Sequence, residues 1–149
     1  MELKSVIYDS AVEAYKMLRL MNYRDIFCRI KEKDGSLSAT EAFAVDVIYL
    51  LGTPTISEFA EYLGISQPNA TYKANNLAVK GYITKNTPPD DKRECRLSVG
   101  EKFYTYFDTE VGFIKQAVAR LEKQFSQQEL QIFEKILRAL TQTMQKTEG

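Results

Sequence analysis

Three times the chain places Ser or Thr, two further residues and then Glu directly ahead of an apolar-periodic run: Ser38 to Glu41, Thr55 to Glu58 and Ser126 to Glu129. In such a box the hydroxyl satisfies an orphan backbone N–H while the Glu carboxylate reaches back to the cap residue, so each marks a helix start. Ser66 is a fourth start, with Pro68 in the first turn where a missing N–H costs nothing. Gly52 and Pro54 stop the run begun at Ser38. Together these signals predict helices over about 6–30, 38–51, 56–63, 67–80, 100–123 and 127–146. The first carries Ala11, Ala14, Leu18 and Met21 on one stripe, continued by Tyr23, Phe27 and Ile30, and the second carries Phe43, Val47, Ile48, Leu50 and Leu51. In the last, Leu130, Phe133, Leu137, Leu140 and Met144 recur at spacings of 3 and 4, a coiled-coil-like stripe suited to a partner subunit.

Only one stretch changes period. In Glu94-Cys95-Arg96-Leu97-Ser98-Val99 apolar and polar residues alternate, which is a half-buried strand, and Tyr82 to Asn86 is its antiparallel partner across the turn-rich Thr87-Pro88-Pro89-Asp90-Asp91. The fold class is therefore mostly α with a small two-stranded β wing.

Residue content removes many functions. The 149 residues contain no His, so Ser/His/Asp and Cys/His catalysis, facial-triad iron and His-containing zinc sites are excluded. Two Cys far apart make neither a disulfide framework nor a Cys₄ site. There is no phosphate-binding loop, dinucleotide fingerprint or nucleophile elbow. No enzyme, metal or cofactor is expected, although carboxylate-based chemistry survives the elimination. With 44% apolar and 27% charged residues the chain is an ordinary globular domain, and no window of about 18 residues is free of charge, so no membrane span is expected. Glu2, Lys4, Asp9 and Glu13 occupy the place of a signal peptide's apolar stretch, and a cytoplasmic location is the expectation.

Charge is balanced overall, 20 basic against 20 acidic groups, but residues 66–100 hold six basic and three acidic ones. That basic stretch coincides with a short helix, a tight turn at Gly64, a second helix and the hairpin. Ala60 and Ala70 are small enough to let the two helices cross closely, and Gly64 suits a left-handed turn. The second helix would turn Ala70, Ala74 and Leu77 inward and Gln67, Asn69, Thr71, Tyr72, Asn75 and Asn76 outward. A face of amides and hydroxyls suits hydrogen bonding to base edges, with a plain solvent-facing surface as the alternative. Helix-turn-helix followed by a basic hairpin is a winged helix.

Residues from about 37 to 102 resemble the MarR family of winged-helix transcription regulators. The resemblance is carried by Thr55-Ile-Ser-Glu-Phe-Ala-Glu-Tyr-Leu-Gly-Ile-Ser66, by Leu77-Ala-Val-Lys-Gly-Tyr-Ile83, and by Asp91-Lys-Arg-Glu-Cys-Arg-Leu-Ser-Val99, which contains the family's Asp-x-Arg wing signature. It implies one chain-long unit, 1–149, with a winged-helix DNA-binding lobe over 37–100 and helical dimerisation regions over 1–36 and 101–149. It further implies a homodimer on a pseudo-palindromic operator in double-stranded DNA, with repression the expected sign. Arg93 would enter the minor groove, Asp91 would position the wing, and Lys92 and Arg96 would serve phosphates or the wing's own folding. The DNA-binding candidates are Thr55, Ser66, Gln67, Pro68, Asn69, Thr71, Tyr72, Lys73, Asn76, Asp91, Lys92 and Arg93. Lys73 stands where the family is commonly apolar, and Tyr72 where Arg or another polar residue is frequent. A helix face rich in Asn and Gln and lacking Arg predicts an adenine-rich half-site.

Phe103, Tyr104, Tyr106, Phe107 and Phe113 crowd the helix after the wing. The resemblance suggests an effector pocket for a small aromatic or lipophilic ligand there, but core and dimer packing is the preferred account of the same residues. Cys95 alternates with Leu97 and Val99 on the buried strand face, whereas Cys28, beside Arg29, is the candidate redox thiol. The alternative function is a winged-helix protein–protein interaction module without sequence-specific DNA binding.

Overall fold

A computed structural model describes residues 2–30, 37–91, 94–106 and 111–147. The predicted caps are where the helices begin. At Ser38 the box is complete: Glu41 N–H donates to Ser38 Oγ at 3.3 Å and Ser38 N–H to Glu41 Oε1 at 3.0 Å. The Ser126 box repeats this at 3.2 and 3.1 Å. At Thr55 the hydroxyl half is present, Oγ1 accepting from Glu58 N–H at 3.1 Å. The helices are α1 (Leu3–Ile30), α2 (Ala39–Leu51), α3 (Ile56–Leu63) and α4 (Gln67–Val79), then α5 (Glu101–Tyr106), α6 (Gly112–Gln124) and α7 (Gln127–Thr147), with strands β1 (Ile83–Asn86) and β2 (Arg96–Val99) between α4 and α5.

The chain divides into two compact units, Met1–Phe107 and Asp108–Gly149. In the first, β1 and β2 pair antiparallel with Ile83 opposite Val99 and Asn86 opposite Arg96. The backbone before α3 adds a short third rung, which the sequence did not announce. Thr55 bridges Arg96, Leu97 N–H donates to Pro54 O at 2.8 Å and Ile56 N–H to Cys95 O at 3.1 Å. This rung ties the start of the helix pair to the wing.

The core of this unit joins Val45 and Ile48 of α2, Phe59 of α3, Ala70, Ala74 and Leu77 of α4, then Tyr82, Ile83, Cys95, Leu97 and Phe103. Gly64 takes the left-handed conformation at φ 66°, which L side chains resist, and Ile65 N–H donates back to Ala60 O at 3.1 Å. The turn folds α4 back on α3, and buried Ala60 and Ala70 keep side-chain bulk out of the crossing.

Several expectations need correction. The helix expected over 100–123 is broken, because Val111 adopts φ 44° and caps α6 without a side-chain bond. Asp108, Thr109, Val111 and Gly112 are all weak helix formers, so helix propensity fails there although the apolar pattern continues. On α2, Phe43 and Leu50 lie on the side opposite Val45 and Ile48, and Leu50 is 71% exposed rather than core. The α1 stripe is likewise uncovered. Leu18, Tyr23 and Phe27 are exposed, and among the described residues Ile26 is the one from α1 in the buried core. The helix also begins at Leu3, three residues before the predicted start. The α7 stripe was expected to face outward from its own fold, and Phe133, Leu137, Leu140 and Met144 stand 45–53% exposed. Among the described residues no helix is long and apolar enough to cross a membrane.

Phe59 is wholly buried at the centre of the helix-turn-helix. Phe59→Ala should therefore lower unfolding stability by about 3–5 kcal/mol, visible as a fall in urea midpoint at unchanged slope.

Candidate nucleic-acid interface

Ala70, Ala74 and Leu77 bury one stripe of α4 almost completely. At 100° per residue the opposite side then carries Pro68, Tyr72, Asn75, Asn76 and Val79, with Asn69 beside Asn76. Tyr72 is 66% and Val79 87% exposed, so two apolar groups stand among the amides. Gln67 is exposed at the first turn, where its Nε2 donates to Ser57 Oγ at 3.2 Å and links α4 to α3. Thr71, expected to face outward, is half-buried, and its hydroxyl donates to Gln67 O at 2.9 Å. That bond closes within the helix and withdraws Thr71 from the face. Lys73 is also half-buried. With Tyr72 and Asn76 it lines a hollow against Ser38, Thr40 and Glu41 at the start of α2.

Thr55 and Ser66 act first as caps. Their oxygens accept the N–H groups of Glu58 and Asn69 at 3.1 and 3.3 Å, which leaves each hydroxyl hydrogen for another partner. Asn75 Oδ1 accepts from Lys85 Nζ of β1 at 2.6 Å.

In the wing, Thr84 and Ser98 share a hydroxyl bond of 2.9 Å across the strands. Arg96 Nη1 donates to Thr53 O at 2.9 Å, a bond that serves the wing's own folding. The turn runs through Asp91, whose N–H meets Pro88 O at 3.4 Å and whose carbonyl accepts from Glu94 N–H at 3.3 Å. Lys92 and Arg93 lie outside the described residues, and so does the expected pairing of Asp91 with Arg93. Cys95 is buried, as its strand alternation implied; the Cys28 side chain lies outside the described residues.

One ion pair fixes α4 relative to α2. Lys80, the C-cap of α4, places Nζ 2.9 Å from Glu41 Oε1, the same carboxylate that completes the Ser38 box. Partial burial alone would raise the Glu41 pKa. Hydrogen bonds from Lys80 and Ser38 outweigh it and hold the carboxyl below its ordinary value. The end of α4 is held a second time, because Lys102 Nζ donates to Lys80 O at 2.8 Å while lying 4.8 Å from the Tyr82 ring centroid. Sequence reasoning missed Glu41, Lys80, Lys85 and Lys102 as positioning residues. Their partners are distant in the chain, and no local pattern signals such pairs.

Among the aromatics, Phe103 is a core residue, stacked on Tyr49 with centroids 4.9 Å apart. Tyr104 packs edge-on against both rings, at 6.4 and 5.5 Å, and stays exposed. Phe113 is half-buried in the second unit. Phe107 and the Tyr106 side chain lie outside the described residues.

Residues 37–95, from buried Leu37 to buried Cys95, match the sequence model of the MarR family. This segment is similar to the MarR family. Nearly the whole chain also shares its fold with solved structures. FabT from Streptococcus pneumoniae, solved in complex with DNA, is 22% identical with a TM-score of 0.62, covering 96% of this chain and 98% of that one. A MarR family protein from Bacillus stearothermophilus is 17% identical with a TM-score of 0.60, covering 97% and 99%. A MepR mutant from S. aureus, bound to an oligodeoxyribonucleotide, is 13% identical with a TM-score of 0.51, covering 91% and 97%. No match was found among curated proteins. The two-stranded sheet and the α3–α4 pair match the expected fold class.

The Glu41 contacts give the domain an acid sensitivity. Because the folded carboxyl titrates below its ordinary value of 4.5, its stabilising effect is complete above that pH and lost as pH falls through the lower folded value. Glu41→Gln should therefore melt below wild type at neutral pH, and the gap should narrow progressively in scans taken below about pH 4.5.

Proposed function

We propose that the chain is a transcription regulator, probed most directly as a homodimer that binds a pseudo-palindromic operator in double-stranded DNA. The observation that carries this reading is the exposed, amide-rich and charge-poor face of α4, seated on a buried stripe beside a hairpin in a segment similar to the MarR family. Asn and Gln pair bidentately with adenine, and an exposed tyrosine ring offers apolar contact for a thymine methyl. FabT and the MepR mutant, which share the fold, were each solved with DNA.

In this mechanism two copies of α4 enter successive major grooves about one helical turn apart. Gln67, Asn69, Tyr72 and Asn76 face base edges. Ser66 and Pro68 sit at the α4 N-terminus and Thr55 at that of α3, where hydroxyl and backbone donors suit a phosphate, and Lys73 lies on the flank of α4. Arg93 of the wing enters a flanking minor groove, positioned by Asp91, with Lys92 on the backbone. Binding energy rather than catalysis does the work, and occupancy of a promoter gives repression.

The helical regions 1–36 and 101–149 supply the dimer. The exposed apolar rows of α1 and α7 are more than a soluble monomer ordinarily leaves uncovered. A small aromatic or lipophilic effector would act by favouring a dimer whose α4 spacing no longer fits the DNA repeat. The compartment is the cytoplasm.

Selection from a random duplex pool, with gel shifts of wild type and Arg93→Ala, tests this. An adenine-rich inverted repeat should emerge, its affinity falling steeply with salt, and Arg93→Ala should bind more weakly with a salt slope smaller by about one. Recovery of no motif would instead favour a protein-binding winged helix. Leu137→Glu, in the middle of the α7 row, should shift the chain from dimer to monomer in sedimentation velocity and reduce operator affinity.

A further inference from the structure

The amides on α4 are not equivalent. Lys85 Nζ lies 2.6 Å from the Asn75 side chain, and both residues are exposed where α4 passes the wing. An ammonium group carries N–H donors and no acceptor, so the amide must turn its oxygen to Lys85. Asn75 is thereby left with its two Nδ2 hydrogens and an engaged oxygen. Gln67 is different. Its partner is the Ser57 hydroxyl, which can donate or accept, so that amide can present either group. Asn69 and Asn76 have no side-chain hydrogen bond among the described residues and keep both donor and acceptor.

These states select different bases. Adenine shows an N7 acceptor and an N6 donor in the major groove, which an amide reads only with both of its ends. Asn75, whose oxygen is already held toward Lys85 and has one lone pair left, makes that pair less readily. Guanine shows N7 and O6, acceptors only, and both an amide nitrogen and an ammonium group satisfy them. Asn75 Nδ2 and the unused hydrogens of Lys85 form a cluster made of donors alone.

We propose that Asn75 and Lys85 together read a guanine at the wing-side border of each half-site, next to adenines read by Asn69 and Asn76. Lys85 serves both as the positioning residue of Asn75 and as a second donor. This inference rests on the DNA-binding reading above.

The test is selection from a random duplex pool followed by competition gel shifts, using the full-length protein as wild type, Asn75→Ala, Lys85→Met, Lys85→Arg and the double variant Lys85→Met/Asn75→Ala. Both side chains are exposed, and circular dichroism with thermal melting verifies that each variant is folded. Wild type should select one guanine at the edge of each adenine-rich half-site and prefer it over adenine there by about tenfold. Asn75→Ala should lose that preference at that position alone. Lys85→Met frees the Asn75 oxygen and should turn the same position toward adenine, and the double variant should show no preference there. Lys85→Arg, which keeps the donor, should retain guanine.

An unchanged selected sequence in Lys85→Met would overturn the inference. So would equal weakening on every duplex, which marks a phosphate contact. An inverted repeat without the bordering guanine removes this inference and leaves the regulator standing, whereas failure of wild type to select any motif removes both.

Discussion

What α4 can present depends on how closely it is seated, and that closeness comes from two alanines. Ala70 and Ala74 are fully buried against α3 and the sheet, so the helix lies on its support with little intervening side chain. Larger residues there would lift α4 and rotate its outer face, because packed interiors accept added volume only by shifting backbone. The tight turn at Gly64 and the Ser66 cap then set where the helix begins, and the Lys80–Glu41 pair sets where it ends. The proposed reading of an operator needs such a fixed platform. Ordering a loose helix on DNA would consume the binding energy that discriminates bases.

The same logic explains why the outer face is only partly free. Gln67 is tied to α3 and Asn75 to β1, one near the start of the helix and one near its end. These bonds hold side chains in place before any partner arrives, which lowers the entropy lost on binding. They also fix chemistry, since an amide with an occupied oxygen has a different hydrogen-bonding pattern from a free one. The wing is braced in a similar way. Its second strand is anchored by the Pro54–Leu97 and Thr53–Arg96 bonds to the segment that leads into α3. Wing and helix pair therefore share backbone, and a displacement of one is felt by the other.

Local chemistry made much of this legible in advance. The Ser38, Thr55, Ser66 and Ser126 starts, the Ala70, Ala74 and Leu77 stripe and the burial of Cys95 and Leu97 all follow from interactions within a few residues and appear as expected. The strand itself begins only at Arg96, and Val99 is half-buried like Ser98. The break before α6 was missed because an apolar period continues across residues whose backbone preferences do not support a helix. The exposure of Phe43 and Leu50 was not legible for another reason: periodicity identifies an apolar residue but not which face a neighbour will cover. Of the α4 candidates, exposure at Gln67, Asn69, Tyr72 and Asn76 was readable from the helical period. The tethering of Asn75 was not, because Lys85 comes ten residues later on a strand and only the fold brings them together. Lys80 and Glu41, 39 positions apart, belong to the same class.

The contrast between the two halves of the apolar surface bears on how the protein behaves as a whole. Around Phe59 and Leu97 the side chains form one buried core cluster. The helices outside it do not. α7 has an exposed residue at nearly every position, and Ile132, Ile136 and Leu137 all stand in contact with solvent. A long helix with an apolar stripe gains its stability mostly from packing that stripe, since propensity alone is marginal in water. When that packing comes from a second chain, the stability of α7 becomes a function of protein concentration, whereas that of the lobe does not. In the proposed dimer, dilution would then loosen these helices before the winged helix unfolds, and the proposed DNA affinity would fall through loss of the paired geometry.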